Sequence, residues 1–498
     1  MTNTASLELT AEERQQLGNQ ALQFVLKYFQ EFSETPVHPQ VDPSEFRRRL
    51  NIPLPIEGES GAKVIDDCAN LIAPLGRSSG HPRMFGYVAS SGTFIGAVGD
   101  FIASILNQNV TSWRSAPGPT EIEHVVINWT KQILGYNSDA VGILLSGGSM
   151  ANFAAICTAI RAKAGVDINL EGLRALTKEP VIYASEAVHM SIPKAAEMLG
   201  LGRKSVHLVP IKSDHTMDSD ALDLAISTDV KAGKLPICVV ANAGDVNTGA
   251  FDSLADIADV CSKHNVWCHV DGAYGGFAAL APSVRPLFQS VARVDSITLD
   301  PHKWLFVPID AGCLLVRDPA ALHACFSHEA EYIKVIGADQ ITGFAFWDYG
   351  PELTRRFRAL KIWMTIKQYG AAVLGQAIEE NIRLAKKLGE MTDQAEDFEL
   401  LAPVGLSITC FRYVPTEMRK DLTSDDSAVR SIAEEKLNKL NSDIMVKVQR
   451  GGESYISNTM INGKFALRAC IVNYRTTDED LNVLLDTIRQ KASECRPD

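Results

Sequence analysis

Between about residues 90 and 320, short apolar runs rich in β-branched side chains alternate with longer segments of helical period. The runs predict strands and the longer segments predict helices. The predicted strands are 141–146, 181–185, 205–210, 236–243, 266–272, 296–300 and 312–318, and the predicted helices are 149–164, 189–199, 218–230 and 253–264. Continuously apolar strands separated by helices are typical of a mostly parallel sheet covered on both faces, whose ligands bind beyond the carboxyl ends of the strands.

The N-terminal part of the chain has a different pattern. It predicts a helix from Leu7 to Phe32, followed by an extended stretch with several prolines. The helix carries one apolar stripe, made of Leu17, Ala21, Phe24 and Val25. The extended stretch carries Val37, Val41, Ile52 and Leu54, so we expect it to pack against another domain or subunit.

After about residue 350 the pattern changes again. A long helical region reaches about Met391, and it is followed by strand-like runs at 406–414 and 465–474 and by helices at 427–446 and 477–492. This order predicts a separate α+β domain. We therefore expect an N-terminal segment over residues 1–88, a large α/β domain over 89–375 and a small C-terminal domain over 376–498.

Composition and charge narrow the class of protein. The chain has 498 residues, 46% of them hydrophobic, and a net charge of −12 without a basic block, which argues against nucleic-acid and membrane-surface partners. Neither a signal peptide nor a membrane-length apolar stretch is evident, and the ten cysteines form no CxxC and no zinc spacing. We expect a soluble cytoplasmic protein with free thiols and no metal site.

A glycine turn opens one predicted helix at the end of a strand. The stretch SGGSMAN, 146–152, places Gly148 and Ser149 where backbone N–H groups at a helix start suit a phosphate. It is not the GxGxxG pattern, so a dinucleotide is not implied.

Three more polar residues follow predicted strands. Asp271 in HVDGAYGG is either a turn residue or a counter-charge for a protonated heteroaromatic nitrogen. His189 in SEAVHMS is by itself more typical of a structural histidine. Lys303 in LDPHKWLFVP lies among apolar residues, which favours either a packed stem with its amine in water or a neutral amine for a Schiff base. Together with the phosphate turn, these residues form the set that pyridoxal phosphate uses.

With this set of residues, the chain resembles the pyridoxal-phosphate-dependent amino acid decarboxylases of the aromatic-L-amino-acid and glutamate decarboxylase group. The stretches that carry the resemblance are HPRMFGYV (81–88), SWRSAPGPTEIE (112–123), SGGSMAN, SEAVHMS, NTGAFD (247–252), HVDGAYGG, DSITLDPHKWLF (295–306) and LRACIVNYRTTDEDL (467–481). The resemblance implies an aspartate aminotransferase-like fold (PLP fold type I). It also implies a homodimer with active sites at the interface, in which the N-terminal segment wraps the partner.

The resemblance also implies roles for single residues. Lys303 matches the lysine that binds the cofactor, Asp271 the partner of the pyridine nitrogen, and His189 the imidazole stacked on the ring near the substrate carboxylate. The other matching positions are Gly148, Ser149, Ala273, Asp300 and His302 for the cofactor, and Tyr87 and Ser90 for the substrate. Asp300 is a departure, because many relatives have asparagine there.

The implied reaction is decarboxylation of an L-amino acid, an aromatic one in the favoured reading, to its amine and CO2. Where relatives carry a loop tyrosine that protonates Cα, this chain has Phe344, and Tyr349, Tyr332 or His189 are the alternative acids. In plant relatives, phenylalanine there accompanies an oxygen-consuming aldehyde synthase, which is one alternative. Asn109 and Thr111 make the expected pocket polar, so decarboxylation of a non-aromatic amino acid is another.

Two further features have mainly structural readings. RRFRALK (355–361) is either an anion site or, in the favoured reading, a helix start salt-bridged at the surface or at a dimer interface. His81 and Pro82 are read as structural. A catalytically inactive cofactor-bound protein is disfavoured by intact Lys303, Asp271 and His189, and a dehydrogenase by the missing GxGxxG.

Overall fold

The computed structural model describes residues 7–328 and 343–495. Its strands are β1 Val141–Leu145, β2 Pro180–Ser185, β3 Val206–Val209, β4 Leu235–Asn242, β5 Trp267–Gly272, β6 Ser296–Leu299, β7 Gly312–Val316, β8 Phe398–Leu400, β9 Ile408–Tyr413, β10 Ser457–Ile461 and β11 Lys464–Cys470. Its helices are α1 Ala11–Glu31, α2 Pro43–Leu50, α3 Gly61–Asp67, α4 Phe94–Leu106, α5 Pro117–Leu134, α6 Gly148–Lys163, α7 Ile168–Glu171, α8 Ser191–Met198, α9 Ser219–Lys231, α10 Leu254–His264, α11 Pro301–Trp304, α12 Pro319–Phe326, α13 Ala359–Gln394, α14 Arg419–Leu422, α15 Ser427–Gly451 and α16 Asp478–Ser493.

The central sheet has the strand order β1-β7-β6-β5-β4-β2-β3 within the described residues. The pairs from β6 to β3 are parallel, whereas β7 is antiparallel to both β1 and β6. The predicted mostly parallel α/β sheet is therefore confirmed. Because β7 is antiparallel to both of its neighbours, β1 runs in the same direction as β6. The carboxyl ends of β1, β2, β4, β5 and β6 consequently meet at one edge of the sheet.

The sheet is stable because it is apolar on both faces. Strand β4 is buried along most of its length, and the buried face of α6 is built largely from small residues. Those residues include Ala151, Ala154, Ala155 and Ala159. Alanine has no side chain beyond Cβ, so it allows a helix to lie close to the strands at native packing density. The start of α6 is thereby fixed against the strand ends.

The described residues divide into two compact units. The central sheet lies in the unit formed by Tyr87–Arg412 and Arg468–Tyr474. The other unit joins the chain before Tyr87 to Tyr413–Leu467 and to the chain from Arg475 onward. A smaller sheet in the C-terminal part has the order β10-β11-β9-β8.

The N-terminal stretch is only partly packed within its own unit. Val37 is fully buried, and its N–H donates to the carbonyl of Gly452 at 2.9 Å. Ile52 and Leu54, by contrast, are 68% and 83% exposed. The predicted apolar stripe of α1 is half-buried. The side chain of Thr10 accepts from the N–H of Glu13, and the side chain of Glu13 accepts from the N–H of Thr10, so a reciprocal cap begins this helix.

His81 has the structural role that the sequence favours. Its ring is buried, Nε2 donates to the carbonyl of Ser33 at 3.1 Å, and the N–H of Arg83 donates to Nδ1 at 3.0 Å. Burial lowers the pKa of His81 to about 4.

None of the helices in the described ranges combines the length and apolar character needed to cross a membrane.

A buried ion pair joins α5 to the chain before α13. Arg355 and Glu123 are each 1% exposed at the side chain, and Arg355 Nη2 lies 2.5 Å from Glu123 Oε1. Arg355 also donates to the carbonyls of Val110 and Leu144, and its guanidinium lies 4.2 Å from the ring centroid of Phe346. The interpretation of RRFRALK (355–361) as a salt-bridged segment is confirmed. Its expected location at the surface is wrong for Arg355, because the ion pair with Glu123 is buried.

Replacing Arg355 by leucine is expected to destabilise the fold by about 3–5 kcal/mol, because it leaves the Glu123 carboxylate buried without a cation. The measurement is the midpoint of urea or thermal unfolding. The matched control is Arg293→Leu, which breaks an ion pair with Asp259 whose side chains are 44% and 70% exposed. That change is expected to cost less than about 1 kcal/mol. Equal shifts for the two variants would contradict the assignment.

Candidate active site

The turn between β1 and α6 is shaped by glycines in close contact with the strands beside it. A Cβ on Gly148 would lie 2.8 Å from both the Cβ of Ala273 and Oδ2 of Asp300. A Cβ on Gly312 would lie 2.5 Å from the Cα of Gly147. The first N–H groups of α6 have no acceptor within the helix, so this turn presents donors to an anion. Ser149 is exposed beside them.

Asp271 ends β5 and is fixed by a network of buried side chains. Asn152 Nδ2 lies 2.7 Å from Asp271 Oδ2, and because a carboxylate only accepts, Nδ2 must donate. Asn152 Oδ1 therefore faces His269 Nε2 at 3.0 Å, which must carry the proton. His269 Nδ1 then accepts from the hydroxyl of Ser296 at 2.8 Å, and that oxygen accepts from the indole N–H of Trp267 at 2.8 Å. Burial lowers the pKa of His269 to about 4, which agrees with a neutral ring.

The same network reaches His189. The second hydrogen of Asn152 Nδ2 goes to Oγ of Ser191 at 2.9 Å, which leaves the Ser191 hydroxyl hydrogen to donate to His189 Nδ1 at 2.8 Å. The backbone N–H of Ser191 also points at Nδ1, at 3.2 Å. Nδ1 is thus an acceptor, and the proton of the neutral imidazole is on Nε2. Burial, the largest effect, lowers the pKa of His189 despite the nearby Asp271 carboxylate.

Lys303 lies in a short helical turn after β6. Asp300, three residues earlier and 1% exposed, places Oδ2 at 2.9 Å from Lys303 Nζ. Burial alone would lower the pKa of Lys303, but the carboxylates of Asp300 and Asp271 outweigh it and raise the pKa. The prediction of a neutral amine is therefore wrong for the protein without a ligand. In that state Lys303 is an ammonium group paired with Asp300.

The residues around Lys303 are held by the core. Trp304 is fully buried, its indole N–H donates to Asn381 Oδ1 at 3.0 Å, and its ring stacks on Tyr274 with centroids 5.1 Å apart. His302 is anchored on its other side, because Nδ1 lies 2.7 Å from the carbonyl of Ala311. The turn that presents Lys303 is consequently anchored on both sides of the lysine.

Asp300 has one oxygen left over. Its Oδ1 is buried and has no hydrogen-bond partner within residues 7–328 and 343–495. It faces the glycine turn, since a Cβ on Gly147 would lie 4.0 Å from it. The edge of the sheet therefore combines helix N–H donors, which suit an anion, with a carboxylate oxygen, which suits a donor. A phosphate monoester that retains one proton supplies both, so the residues present fit the predicted cofactor.

The predicted substrate residues precede α4. Tyr87 is half exposed with a positive φ of 58°, and its carbonyl accepts from Arg468 Nη1 at 3.0 Å. Oγ of Ser90 is buried and has no partner among the residues that the structure describes. Of the polar pocket residues, Asn109 accepts from the N–H of Arg355 at 2.8 Å and so serves the backbone, whereas Thr111 is buried.

Phe344 belongs to an aromatic cluster. Its ring centroid lies 4.5 Å from His124, 4.9 Å from Phe346 and 5.3 Å from Tyr349, on which it stacks. Tyr332, the other candidate for the missing tyrosine, lies outside the described residues. The side chains that sequence reasoning missed are Asn152, Ser191, His269 and Ser296. Asn152 is part of SGGSMAN, and its position one turn into α6 was the available signal.

Asn152→Leu is expected to destabilise the protein strongly. It removes the partners of Asp271 and His269, and each buried group left unpaired costs roughly 1–3 kcal/mol. The measurement is the thermal unfolding midpoint of the purified chain. Thr158→Val is the control on the same helix, because Thr158 is equally buried but lies outside the network: its side chain bonds the carbonyl of Ala154 and the thiol of Cys325. A similar midpoint for both variants would show that the network contributes less to the stability of the fold than predicted.

Comparisons with known proteins identify the family of this chain. Residues 43–414 match the model of the pyridoxal-dependent decarboxylase conserved domain. The aromatic-L-amino-acid decarboxylase of Bacillus atrophaeus is 34% identical, over 98% of this chain and 97% of that protein. The crystal structure of Oryza sativa TDC with PLP and tryptamine has a TM-score of 0.89 at 25% identity, covering 98% of this chain and 99% of that one. That of Rhodiola rosea 4-hydroxyphenylacetaldehyde synthase has a TM-score of 0.85 at 26% identity, with coverages of 98% and 99%.

The solved structures share the PLP type I fold, so the predicted aspartate aminotransferase-like architecture is confirmed. The family model covers most of the chain, and the Bacillus atrophaeus protein aligns over nearly all of it. The chain belongs to the pyridoxal-dependent decarboxylase family.

Proposed function

We propose that this enzyme decarboxylates an aromatic L-amino acid to its amine and CO2. The observation that carries the proposal is the meeting of the Lys303 amine, two carboxylates and His189 at the sheet edge beside the glycine turn. The aromatic substrate is supported by the name of the Bacillus atrophaeus relative and by the tryptamine bound in the Oryza sativa structure.

Lys303, Asp271 and the glycine turn would hold the cofactor. Lys303 provides the amine for the cofactor carbonyl, Asp271 the charge opposite the pyridine nitrogen, and Gly148 with Ser149 the donors for the phosphate. Ala273 and His302 complete the proposed cofactor contacts. Pyridoxal phosphate supplies an electron sink for the pair of electrons left when CO2 departs.

Asp300 has a proposed role in positioning Lys303. Its Oδ2 lies 2.9 Å from Lys303 Nζ, and its charge, together with that of Asp271, outweighs burial and raises the pKa of the lysine. An asparagine, which many relatives have here, could accept a hydrogen bond from the amine but carries no charge. The carboxylate thus favours the protonated amine at the position where the sequence departs from its relatives.

His189 is proposed to orient the substrate and to return a proton. Its Nδ1 is occupied by Ser191, so Nε2–H is the group free to contact a substrate carboxylate. To return a proton to Cα after CO2 leaves, the ring must first take up a second proton from solvent, so that it is a neutral imidazole again after the transfer; the phenyl ring of Phe344 has no proton to give. Tyr87 and Ser90 are the proposed contacts to the rest of the substrate.

We further propose that the enzyme is a homodimer in the cytoplasm. Apolar side chains lie exposed on α4, where Phe101 and Ile105 are 63% and 70% exposed, and in the N-terminal stretch, where Ile56 is 91% exposed. Faces of this kind are typical of protein interfaces. The cysteines are free thiols, which supports a reducing compartment.

An oxygen-consuming aldehyde synthase is the second candidate. The observation that favours it is Phe344 at the position of the loop tyrosine, together with the similarity to the Rhodiola rosea synthase. Such an enzyme consumes O2 and releases the aldehyde, CO2, ammonia and hydrogen peroxide. The two candidate activities share the cofactor and the substrate. They differ in whether Cα is protonated, which gives the amine, or oxidised, which gives the aldehyde.

Lys303→Ala is expected to abolish the visible absorption band that wild-type protein shows with added pyridoxal phosphate, because no amine remains to bind its carbonyl. The measurement is an absorbance titration of both proteins, with circular dichroism to show that the variant is folded. Lys194→Ala is the control on α8, a lysine outside the site, and it should keep the band. A folded Lys303→Ala variant that retains the band would overturn the assignment of this lysine.

Wild-type enzyme is expected to release amine and CO2 in equal amounts, without peroxide, from an aromatic amino acid. Phe344→Tyr should leave the product unchanged, because the proton comes from His189. The measurement is parallel quantification of amine, aldehyde and peroxide, and Tyr349→Phe tests the neighbouring hydroxyl in the same assay. Aldehyde with peroxide from the wild type, replaced by amine in Phe344→Tyr, would select the synthase instead.

A further inference from the structure

We propose that Cys157 and Cys325 are an oxidisable pair that peroxide converts into a reversible disulfide between α6 and α12. The two sulfur atoms lie 3.2 Å apart, although the residues are 168 positions apart in sequence. Both are present as thiols, and neither belongs to the site described above. The pair therefore offers a modification site separate from the decarboxylase chemistry.

The two thiols are held facing one another. Cys157 is on α6, and Cys325 is in the last turn of α12. The side-chain amide of Asn169 donates to the carbonyls of Ala324 and Cys325, at 2.9 and 3.1 Å, which fixes the end of α12. A disulfide requires the sulfurs to approach to about 2.05 Å. The sulfurs therefore have to move closer by about 1 Å, which is a small displacement for two side chains that already touch.

The pair is chemically asymmetric. The S–H of Cys325 donates to the sulfur of Cys157, and this hydrogen bond lowers the pKa of Cys157 while that of Cys325 is raised. Arg161, one turn further along α6, carries positive charge toward the pair. Its Nε is buried and without a partner among the described residues. Cys157 is also the more accessible of the two residues. It is consequently the thiol that attacks, and Cys325 is the one that resolves.

The proposed oxidant is hydrogen peroxide. The Cys157 thiolate attacks one peroxide oxygen, the O–O bond breaks, and the departing hydroxide takes a proton to leave as water, so Cys157 becomes a sulfenic acid. The sulfur of Cys325 then attacks the sulfur of Cys157, the S–O bond breaks, and a second water leaves. Together the two thiols lose two protons and two electrons, and one peroxide is reduced to two waters. A dithiol reductant reverses the change.

A second thiol contact in the chain provides a contrast. The side chains of Cys261 and Cys268 also form a hydrogen bond, but both residues are 3% exposed. That hydrogen bond, together with burial, raises the pKa of Cys261 well above its usual value. Contact between two thiols is therefore shared by both pairs, whereas access to solvent distinguishes Cys157.

The test is to treat the purified full-length enzyme with graded hydrogen peroxide, block the remaining thiols and determine its mass and a non-reducing peptide map. The expected result is loss of two hydrogens at the lowest effective dose, with the peptides containing Cys157 and Cys325 joined. Dithiothreitol should restore the original mass. The oxidised protein should also unfold several degrees higher, because a cross-link closing so long a loop restricts the unfolded chain.

Matched variants separate this pair from the other thiols. Cys157→Ser and Cys325→Ser should each abolish the cross-link, whereas Cys261→Ser and Cys68→Ser should retain it. A cross-link that persists in Cys157→Ser would overturn the proposal. So would a wild-type map in which Cys157 gains oxygen without becoming joined, or in which Cys261 and Cys268 are linked first. The wild-type map decides the question even where a variant fails to fold.

Discussion

The hydrogen bond from Asn152 to Asp271 is the contact on which the rest of the site depends. A carboxylate at the end of a buried strand requires a donor, and α6 supplies one because its alanines allow it to lie against the sheet. The same amide group then determines the protons of its neighbours. Its oxygen requires a proton on Nε2 of His269, and its second hydrogen directs the Ser191 hydroxyl to His189. One side-chain amide therefore links Asp271, through Ser191, to His189.

Before any ligand binds, the sheet edge carries more negative charge than positive charge. Asp271 and Asp300 are carboxylates on neighbouring strand ends, and Lys303 is the ammonium group between them. Such a site favours a ligand that brings one further positive charge on an aromatic nitrogen, and the helix start beside it offers donors for an anion. A ligand with both a cationic nitrogen and an anionic group fits these two preferences better than a simple anion does.

Much of this arrangement follows from local sequence. The strands of the central sheet fall within about two residues of the apolar runs, and the polar candidates follow those strands, whereas β8 and β10 of the smaller sheet were not predicted. What the sequence did not predict depends on register between distant segments. Asn152 and Asp271 are 119 positions apart, and Arg355 and Glu123 are 232 apart, so no local pattern pairs them. Asp300 likewise reverses the expected neutrality of Lys303 through a geometry that a four-residue turn creates.

The direction of the network has an evolutionary consequence. From Trp267 to Ser296, His269 and Asn152, and on through Ser191 to His189, every hydrogen is already assigned to one acceptor. A substitution that exchanges a donor for an acceptor at one position leaves two like groups facing each other at the next. Change at these positions is therefore expected to be concerted, so that a lineage that replaces Asn152 must also find a new partner for His269. The network restricts the paths along which this site can diverge more than it restricts any single residue.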